Sequence, residues 1–193
     1  KAIRYHEQAL AIDREMDDRY GEGADLDNLG NAYVELGETK KAIDYYEQAL
    51  AIAREIKDKR LEGNALGNLG NAYGSLGEIR KAIEHCEQAL SIACEIGDKG
   101  NEGAWLDKLG NAYSELGEAR KAIEYYKYAL KISLDIGDRR GEGNALWNMS
   151  LALDQIGDRE QAIECAKAAL KIWDGIKDPH AEMARRKLQE WEN

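Results

Sequence analysis

Apolar residues recur along the chain at steps of three and four positions, in two kinds of stripe that alternate. One stripe contains Leu66, Leu69, Gly70 and Tyr73. The other contains Ala82, Ile83, Cys86, Ala89, Leu90 and Ala93. Such steps place residues on one face of a helix with about 3.6 residues per turn, whereas a half-buried strand needs strict alternation. The pattern therefore predicts pairs of amphipathic helices.

These helix pairs recur with a period of 40 residues. The string Asn-Leu-Gly-Asn-Ala-Tyr runs from Asn28 to Tyr33. It recurs in full from Asn68. A third copy starts at Lys108 with only its first residue changed, and a degenerate fourth copy starts at Asn148. A second string, Lys-Ala-Ile, starts at Lys1, Lys41, Lys81 and Lys121, and more loosely at Gln161. Self-similarity of this kind predicts stacked repeats, each burying its apolar face against its neighbours.

Glycines separate the predicted helices. The first helix of each pair is followed by Gly37, Gly77, Gly117 or Gly157, each with an acidic residue after it. Glycine can take the left-handed conformation that ends a helix, and the acid then lies at the positive end of the next helix. Gly97 and Gly137 end second helices, and Asp98 and Asp138 are the predicted N-caps of the helices that follow.

The chain shows no Pro/Ser-rich linker or shift in composition, so we expect residues 1–193 to form one domain. It starts with the second helix of a truncated repeat, over residues 1–17, and ends with a capping helix over residues 178–193. Met183, Leu188 and Trp191 are expected to close the last pair. Between these segments we predict four complete repeats, at 18–57, 58–97, 98–137 and 138–177.

The stripes resemble the tetratricopeptide repeat. Its signature positions hold Leu26, Leu29, Gly30, Tyr33, Ala42, Tyr46 and Ala49, and the two following repeats supply equivalents, with Cys86 replacing one tyrosine. The resemblance implies an all-α, right-handed superhelical solenoid of antiparallel helix pairs. The repeat is longer than the usual 34 residues and lacks a closing proline. This 40-residue form is similar to repeats of animal spindle-orientation adaptors and prokaryotic signalling arrays, and more loosely to those of kinesin light chains.

A polar column follows the first helix of each pair, away from the apolar stripe. Its members are Asn28, Asn31, Glu35, Asn64, Asn68, Asn71, Lys108, Asn111, Glu115, Asn144 and Asn148. The resemblance implies that these helices line a concave groove and that asparagines here bond an extended peptide backbone. A primary amide suits that task because it both donates and accepts hydrogen bonds. The alternative interpretation is that the amides bond to adjacent repeats or to water.

We therefore predict a non-catalytic scaffold that binds an extended or helical segment of a partner protein in its groove. Asp27, Glu35, Asp107 and Glu115 surround the column with Lys108 as its single base, which favours a neutral or basic ligand. The spindle-orientation adaptors hold acidic peptides with arginines, and here those positions are Ala24, Asn64, Ala104 and Asn144. The net charge of -10 argues against nucleic acids and anionic membranes as partners.

No constellation of residues predicts catalysis, a metal or a cofactor. His6, His85 and His180 fall in different repeats and belong to no metal-binding motif. Cys86 and Cys94 are eight residues apart, about 12 Å along a helix, which is too far for one ion to bridge. Cys86 replaces a tyrosine of other repeats, so we expect it to be buried. We predict that the protein is not an enzyme.

An alternative function is self-association through the truncated N-terminal end. Without a preceding helix, the apolar side of Ile3, Leu10 and Ile12 is expected to be exposed. Trp105 and Trp147 could anchor apolar ligand groups, although a core position is the favoured interpretation. The lack of a signal segment, of a membrane-length apolar run and of paired cysteines predicts a cytoplasmic protein.

Overall fold

A computed structural model of the chain describes residues 2–192, and all the regular secondary structure in that range is helical. Lys1 and Asn193, at the ends of the predicted first and last segments, lie outside it. The helices of the described range are α1 (Ala2–Met16), α2 (Arg19–Glu35), α3 (Thr39–Glu55), α4 (Lys59–Ser75), α5 (Ile79–Ile96), α6 (Lys99–Glu115), α7 (Ala119–Ile136), α8 (Arg139–Gln155), α9 (Arg159–Ile176) and α10 (His180–Glu192). The predicted all-α fold is confirmed.

The helices form two compact units, Lys1–Gly97 and Asp98–Asn193. In the first unit α2 pairs with α3 and α4 with α5, while α1 packs on α2 and α3 on α4. In the second unit α6 pairs with α7 and α8 with α9, α7 packs on α8, and α10 packs on α9. The first helices of neighbouring pairs also meet, α2 with α4 and α6 with α8. Within each unit the predicted helix pairs are confirmed as stacked hairpins.

The turn glycines behave as their spacing predicts. Those that end first helices, Gly37, Gly77, Gly117 and Gly157, have φ between +75° and +83°. Gly97 and Gly137 also take the left-handed conformation, at +70° and +73°. The predicted caps are confirmed too, since the Asp98 side chain accepts from the Asn101 amide at 3.1 Å and the Asp138 side chain accepts from the Gly141 amide at 2.9 Å. These residues make the connections between helices short, which forces consecutive helices to pack together.

Close contact within each hairpin depends on a glycine in its first helix. Gly30 lies against the ring of Tyr46, and Gly110 lies against the ring of Tyr126, where a Cβ atom would overlap the aromatic carbons. A Cβ on Gly70 would lie 2.6 Å from Cys86 Sγ and 3.3 Å from the Ala82 carbonyl oxygen. The buried position predicted for Cys86 is therefore confirmed.

The last hairpin of the second unit differs from the others at two buried positions, with a larger residue in its first helix and a smaller one in its second. Ser150 stands where the other hairpins have the crossing glycine, and Ala166 stands where they have Tyr46, Cys86 or Tyr126. Both residues are fully buried, and the Ser150 hydroxyl donates to the Trp147 carbonyl at 2.6 Å. A larger residue in α8 thus faces a smaller one in α9, and the degenerate repeat keeps both positions buried.

Burial of the aromatic and terminal residues resolves several expectations. Trp105 and Trp147 are buried, as the core interpretation held. Leu188 and Trp191 of α10 are buried, while Met183 is half-buried. The expectation for Leu10 is wrong, because its side chain is only 7% exposed on α1, whereas Ile12 is 54% exposed. Leu10 is buried and lines a recess with Leu26 of α2 and Tyr45 of α3, so it cannot belong to an exposed apolar patch.

Candidate functional site

The polar column lies on the neighbouring first helices of each unit, α2 with α4 and α6 with α8. Its exposed members are Asn28, Asn31, Glu35, Asn64, Asn71, Lys108 and Glu115. Its half-buried members are Asn68, Asn111, Asn144 and Asn148. The column is therefore not a simple row of solvent-facing amides, because four of its asparagines are half-buried.

In the first unit a chain of hydrogen bonds links three helices. The Tyr46 hydroxyl of α3 donates to Asn31 Oδ1 of α2 at 2.8 Å. Asn31 Nδ2 reaches the Asp27 carboxylate at 3.4 Å. Asn68 Nδ2 of α4 donates to the same carboxylate, at 2.9 Å to Oδ1 and 3.1 Å to Oδ2. Asp27 is thus the junction between two neighbouring hairpins.

The second unit repeats this arrangement with equivalent residues. The Tyr126 hydroxyl donates to Asn111 Oδ1 at 2.8 Å, and Asn111 Nδ2 lies 3.4 Å from the Asp107 carboxylate. Asn148 Nδ2 of α8 donates to Asp107 Oδ1 at 3.0 Å. We call each set of four residues an Asp junction: Asp27, Asn31, Tyr46 and Asn68 in the first unit, and Asp107, Asn111, Tyr126 and Asn148 in the second.

The sequence pattern predicts both aspartates near the column, but only as its acidic lining. A signal for their role was present, because the aspartates occur in the same repeats as the buried tyrosines Tyr46 and Tyr126. In the other two repeats the corresponding residue pairs are Gly67 with Cys86 and Trp147 with Ala166. The coupled occurrence of aspartate and tyrosine 19 residues apart marks the Asp junction in the sequence.

Burial dominates the electrostatics of the Asp junctions. It raises the pKa of Asp27, against the opposing hydrogen bonds from Asn68 and Asn31. It likewise raises the pKa of Asp107, against the bond from Asn148 and the charge of Lys108. A carboxyl whose folded pKa is raised stabilises the fold most below its unfolded pKa, and that contribution is lost as pH rises through the folded value. Burial and the nearby aspartates also raise the pKa of Tyr46 and Tyr126, which keeps both hydroxyls protonated as donors.

The column therefore contains two kinds of asparagine. Asn31, Asn68, Asn111 and Asn148 are held inside the Asp junctions, as the alternative interpretation of the sequence described. Asn28, Asn64 and Asn71 are exposed on α2 and α4. The first group positions neighbouring helices, and the second group presents amides to solvent.

Alanine substitution should separate these two groups. Asn68→Ala removes the strongest donors to the Asp27 carboxylate, and a half-buried acceptor that loses its partner costs about 1 to 3 kcal/mol. Asn71→Ala, one helical turn further and exposed, should change stability by less than about 0.5 kcal/mol. Urea denaturation of the two variants measures the difference. Equal stability would exclude a structural role for the Asp27 junction.

A second recurring contact explains the Lys-Ala-Ile string. Tyr33 stacks on Tyr45 with ring centroids 5.2 Å apart, and Lys41 Nζ lies 4.2 Å from the Tyr33 centroid. The following hairpins repeat the contact with Tyr73, His85 and Lys81, and with Tyr113, Tyr125 and Lys121. In these three hairpins, stacking and the cation over the ring tie the C-terminal half of the first helix to its partner.

His85 differs from the tyrosines at its equivalent positions. Its Nδ1 is buried without a hydrogen-bond partner, and burial lowers the pKa of its ring. The neutral ring stacks on Tyr73 at a centroid distance of 5.3 Å. This histidine therefore acts as a packing residue within its hairpin.

Residues 2–192 lack the features of two other classes of site. No group of three or more His, Cys, Asp or Glu residues in this range has a geometry that could hold a metal ion. None of the helices described is both long enough and apolar enough to cross a membrane.

Comparison with known proteins adds the family. Models of the tetratricopeptide repeat match residues 1–55 and 61–135, and another model of the same repeat matches residues 143–172. No curated protein shows a significant match to the sequence.

Several solved structures share the fold. A signal transduction ATPase with numerous domains and a tetratricopeptide repeat sensor, from Pyrococcus horikoshii, has a TM-score of 0.80 and 24% identity over 86% of this chain and 26% of its own. A kinesin light chain with nearly identical repeats, from Podosopora anserina, has a TM-score of 0.74 and 20% identity over 90% of this chain and 86% of its own. Aspartyl phosphate phosphatase F from Bacillus subtilis has a TM-score of 0.75 and 19% identity over 99% of this chain and 54% of its own. At these identities the likeness establishes the fold alone.

Proposed function

The chain belongs to the tetratricopeptide repeat family, and we propose that this interaction scaffold uses its first-helix faces to bind an extended peptide segment of a partner protein. The observation that carries the proposal is the set of exposed amides on two helices that lie side by side, Asn28 on α2 and Asn64 with Asn71 on α4. An amide can pair with a peptide group of any sequence, because it offers a donor and an acceptor together.

The Asp junctions supply rigidity for such a surface. Asn68 is held by Asp27 across two hairpins, so α2 and α4 keep a fixed spacing, and Asn148 with Asp107 does the same for α6 and α8. A preorganised surface binds more tightly because less conformational freedom is lost on association. In this proposal the exposed asparagines contact the peptide. The junction asparagines can offer it in addition the amide oxygen or N–H that the junction itself does not use.

The charge of these faces favours a neutral or basic peptide. Glu35 and Glu115 are exposed beside the amides, and Lys108 is the exposed base of the column. A basic residue in the ligand would gain from this arrangement, and an acidic ligand would be repelled by a protein of net charge -10. Affinity for a basic peptide should therefore fall as salt concentration rises.

Removing the exposed amides tests the proposal. We expect the double variant Asn64→Ala/Asn71→Ala to bind a peptide, selected from a phage-displayed dodecapeptide library on the unmodified protein, about tenfold or more weakly, since two hydrogen bonds are lost. Its free energy of unfolding should be nearly unchanged, because both residues are exposed. Isothermal titration calorimetry and urea denaturation measure the two quantities.

The matched control removes two exposed amides elsewhere, Gln8→Ala/Gln48→Ala on α1 and α3. Its peptide affinity should equal that of the unmodified protein. If the control weakens binding as much as Asn64→Ala/Asn71→Ala, the peptide does not lie on the first-helix face.

We expect no intrinsic catalysis in this scaffold. The histidines His6, His85 and His180 lie on α1, on α5 and at the start of α10, and no pair of them shares a hairpin. Self-association remains the alternative function, but its main argument is weakened because Leu10 is buried. It would have to use other apolar residues of α1, such as Ile12 and Met16, which are 54% and 73% exposed.

A further inference from the structure

A cavity of about 350 Å³ opens in the second unit between α6, α7 and α8. Its walls include Gly103 and Ala104 of α6, Ala129 and Ser133 of α7, and Gly141 and Asn144 of α8. At about 30 Å³ per water molecule, this volume equals roughly twelve waters. It can hold one large side chain together with the peptide group that carries it.

The equivalent place in the first unit is filled by this chain's own leucine. Leu61 is 6% exposed, and its Cδ2 lies 2.7 Å from the position that a Cβ on Gly23 would take. The repeat period makes Gly103 the counterpart of Gly23 and Gly141 the counterpart of Leu61. The second unit therefore keeps the glycine that receives a leucine but has lost the leucine.

One residue of α7 in the cavity wall also differs from its counterpart in α3. Ser133, 6% exposed, replaces Ala53, which is fully buried in the first unit. Ile132 packs on Gly103 as Ile52 packs on Gly23, since a Cβ on either glycine would lie 3.1 or 3.2 Å from the isoleucine Cγ2. The isoleucine wall is thus preserved, and the open volume accompanies the changes at Gly141 and at Gly100, where the first unit has Leu61 and Tyr20.

Polar groups around the cavity suit a peptide backbone. Asn144 belongs to the polar column and is half-buried in the cavity wall. The Asp107 carboxylate, fixed by Asn148, forms another part of the wall. Lys108 and Arg140 lie at the rim, and Arg140 Nε pairs with Asp178 at 3.1 Å. Asp107 and Asp138 balance these two cations in the lining, so charge gives no preference for a charged side chain. Gly103, Ala104 and Ala129 offer apolar contacts to an aliphatic one.

We propose that this cavity is an anchor site for a leucine-sized aliphatic side chain of an extended peptide that lies on the α6 and α8 face. The inference rests on the proposed peptide-binding function and names its specificity-determining position. The incoming side chain takes the place that Leu61 fills in the first unit. The peptide group beside it pairs with the Asn144 amide, and the glycines Gly103 and Gly141 let the peptide approach the helices closely.

The first test measures binding of a capped amino acid by NMR. The compound is N-acetyl-leucine N-methylamide, added to the full chain labelled with ¹⁵N. We expect saturable shifts of the Gly103, Gly141 and Asn144 amide signals. N-acetyl-alanine N-methylamide should bind at least about tenfold more weakly, because it buries three fewer carbon atoms. Equal affinities of the two compounds, or no saturable shift at these residues, would overturn the inference.

Free leucine distinguishes a peptide site from an amino-acid site. Its ammonium and carboxylate groups would have to lose more hydration on binding than the neutral peptide groups of the capped compound. We expect it to bind more weakly than the capped compound. Tighter binding of free leucine would overturn the assignment to a peptide.

The second test fills the cavity with residues that the chain itself uses. A Cβ on Gly141 would overlap the end of the Asp138 side chain and would lie 2.6 Å from Ser133 Oγ. The equivalent Asp58 accepts from the Leu61 amide at 2.8 Å, so an aspartate here can accommodate a leucine, and Gly141→Leu is combined with Ser133→Ala to copy the Ala53 and Leu61 pair. We expect this variant to bind the capped leucine at least about tenfold more weakly, as measured by the same amide shifts. Ala104→Leu narrows the cavity from an exposed position and should act in the same direction if the double variant does not fold. Unchanged affinity in a folded variant contradicts the inference.

A peptide selected from the dodecapeptide library separates this inference from the proposed function. If that peptide contains no aliphatic anchor, or binds the filled variant as well as the unmodified protein, the anchor site is wrong and peptide binding stands. If no peptide is selected, the proposed function fails, and the anchor assignment fails with it even where the capped leucine still binds.

Discussion

Tyr126→Ala should lower the free energy of unfolding by about 3 to 5 kcal/mol, the loss typical of truncating a buried aromatic side chain. The Tyr126 ring is 2% exposed and covers Gly110, so its removal leaves a void between α6 and α7. The change also deprives Asn111 of the 2.8 Å hydrogen bond that orients it towards Asp107. Urea denaturation followed by circular dichroism measures the effect.

Two variants of the same helix separate the contributions. Tyr126→Phe keeps the ring and should cost only about 1 kcal/mol, the value of the hydrogen bond to Asn111. Tyr128→Ala removes a tyrosine that is 61% exposed and should cost less than about 0.5 kcal/mol. If Tyr126→Ala were no more harmful than Tyr128→Ala, the ring would not be a core residue of the hairpin.

Gly70→Leu should destabilise the first unit by about 1 to 3 kcal/mol through overpacking. Even the first carbon of the new side chain would lie 2.6 Å from Cys86 Sγ and 3.4 Å from the backbone nitrogen of Cys86. Because backbone cannot move aside without separating α4 from α5, the strain must be taken up by the whole hairpin. Thermal and urea unfolding of the variant measure the cost.

A glycine one turn further along α4 provides the matched control. A Cβ on Gly74 would meet only Ala82 Cβ, at an ordinary distance of 3.8 Å. Gly74→Ala should therefore stabilise the helix by up to about 1 kcal/mol, since alanine is the better helix former. Gly70→Ala should instead be destabilising. If both alanine variants changed the free energy of unfolding in the same direction, close approach of α5 would not be the reason for a glycine at position 70.

The Asp junctions give the array a longer repeat than its 40-residue period. Aspartate and tyrosine occur together in the hairpin α2–α3 and again in α6–α7, 80 residues later, while α4–α5 and α8–α9 lack both. The intervening hairpins supply the donors, Asn68 and Asn148. Consecutive hairpins are thus complementary within each unit, one carrying the acceptor and the next the amide that bonds to it.

Local features of this protein followed from its sequence. Steps of three and four between apolar residues predicted the helices, because one face of a helix repeats at that spacing. Gly77 and Gly117 marked turns because glycine takes positive φ at little cost, and Asp98 and Asp138 marked helix starts because a short acidic side chain can cap the next amides. Each of these depends on residues within about four positions of one another.

Contacts between helices were decided only by the tertiary structure. Whether Leu10 is covered, whether Asn68 faces solvent or Asp27, and whether the space beside Gly141 is filled all depend on side chains from two or three helices. The partner of Asp27 lies 41 residues away, and no local pattern encodes that distance. The sequence by itself determined the repeated helix pairs, and the packing of those pairs determined which of their amides bond between helices and which remain exposed to solvent.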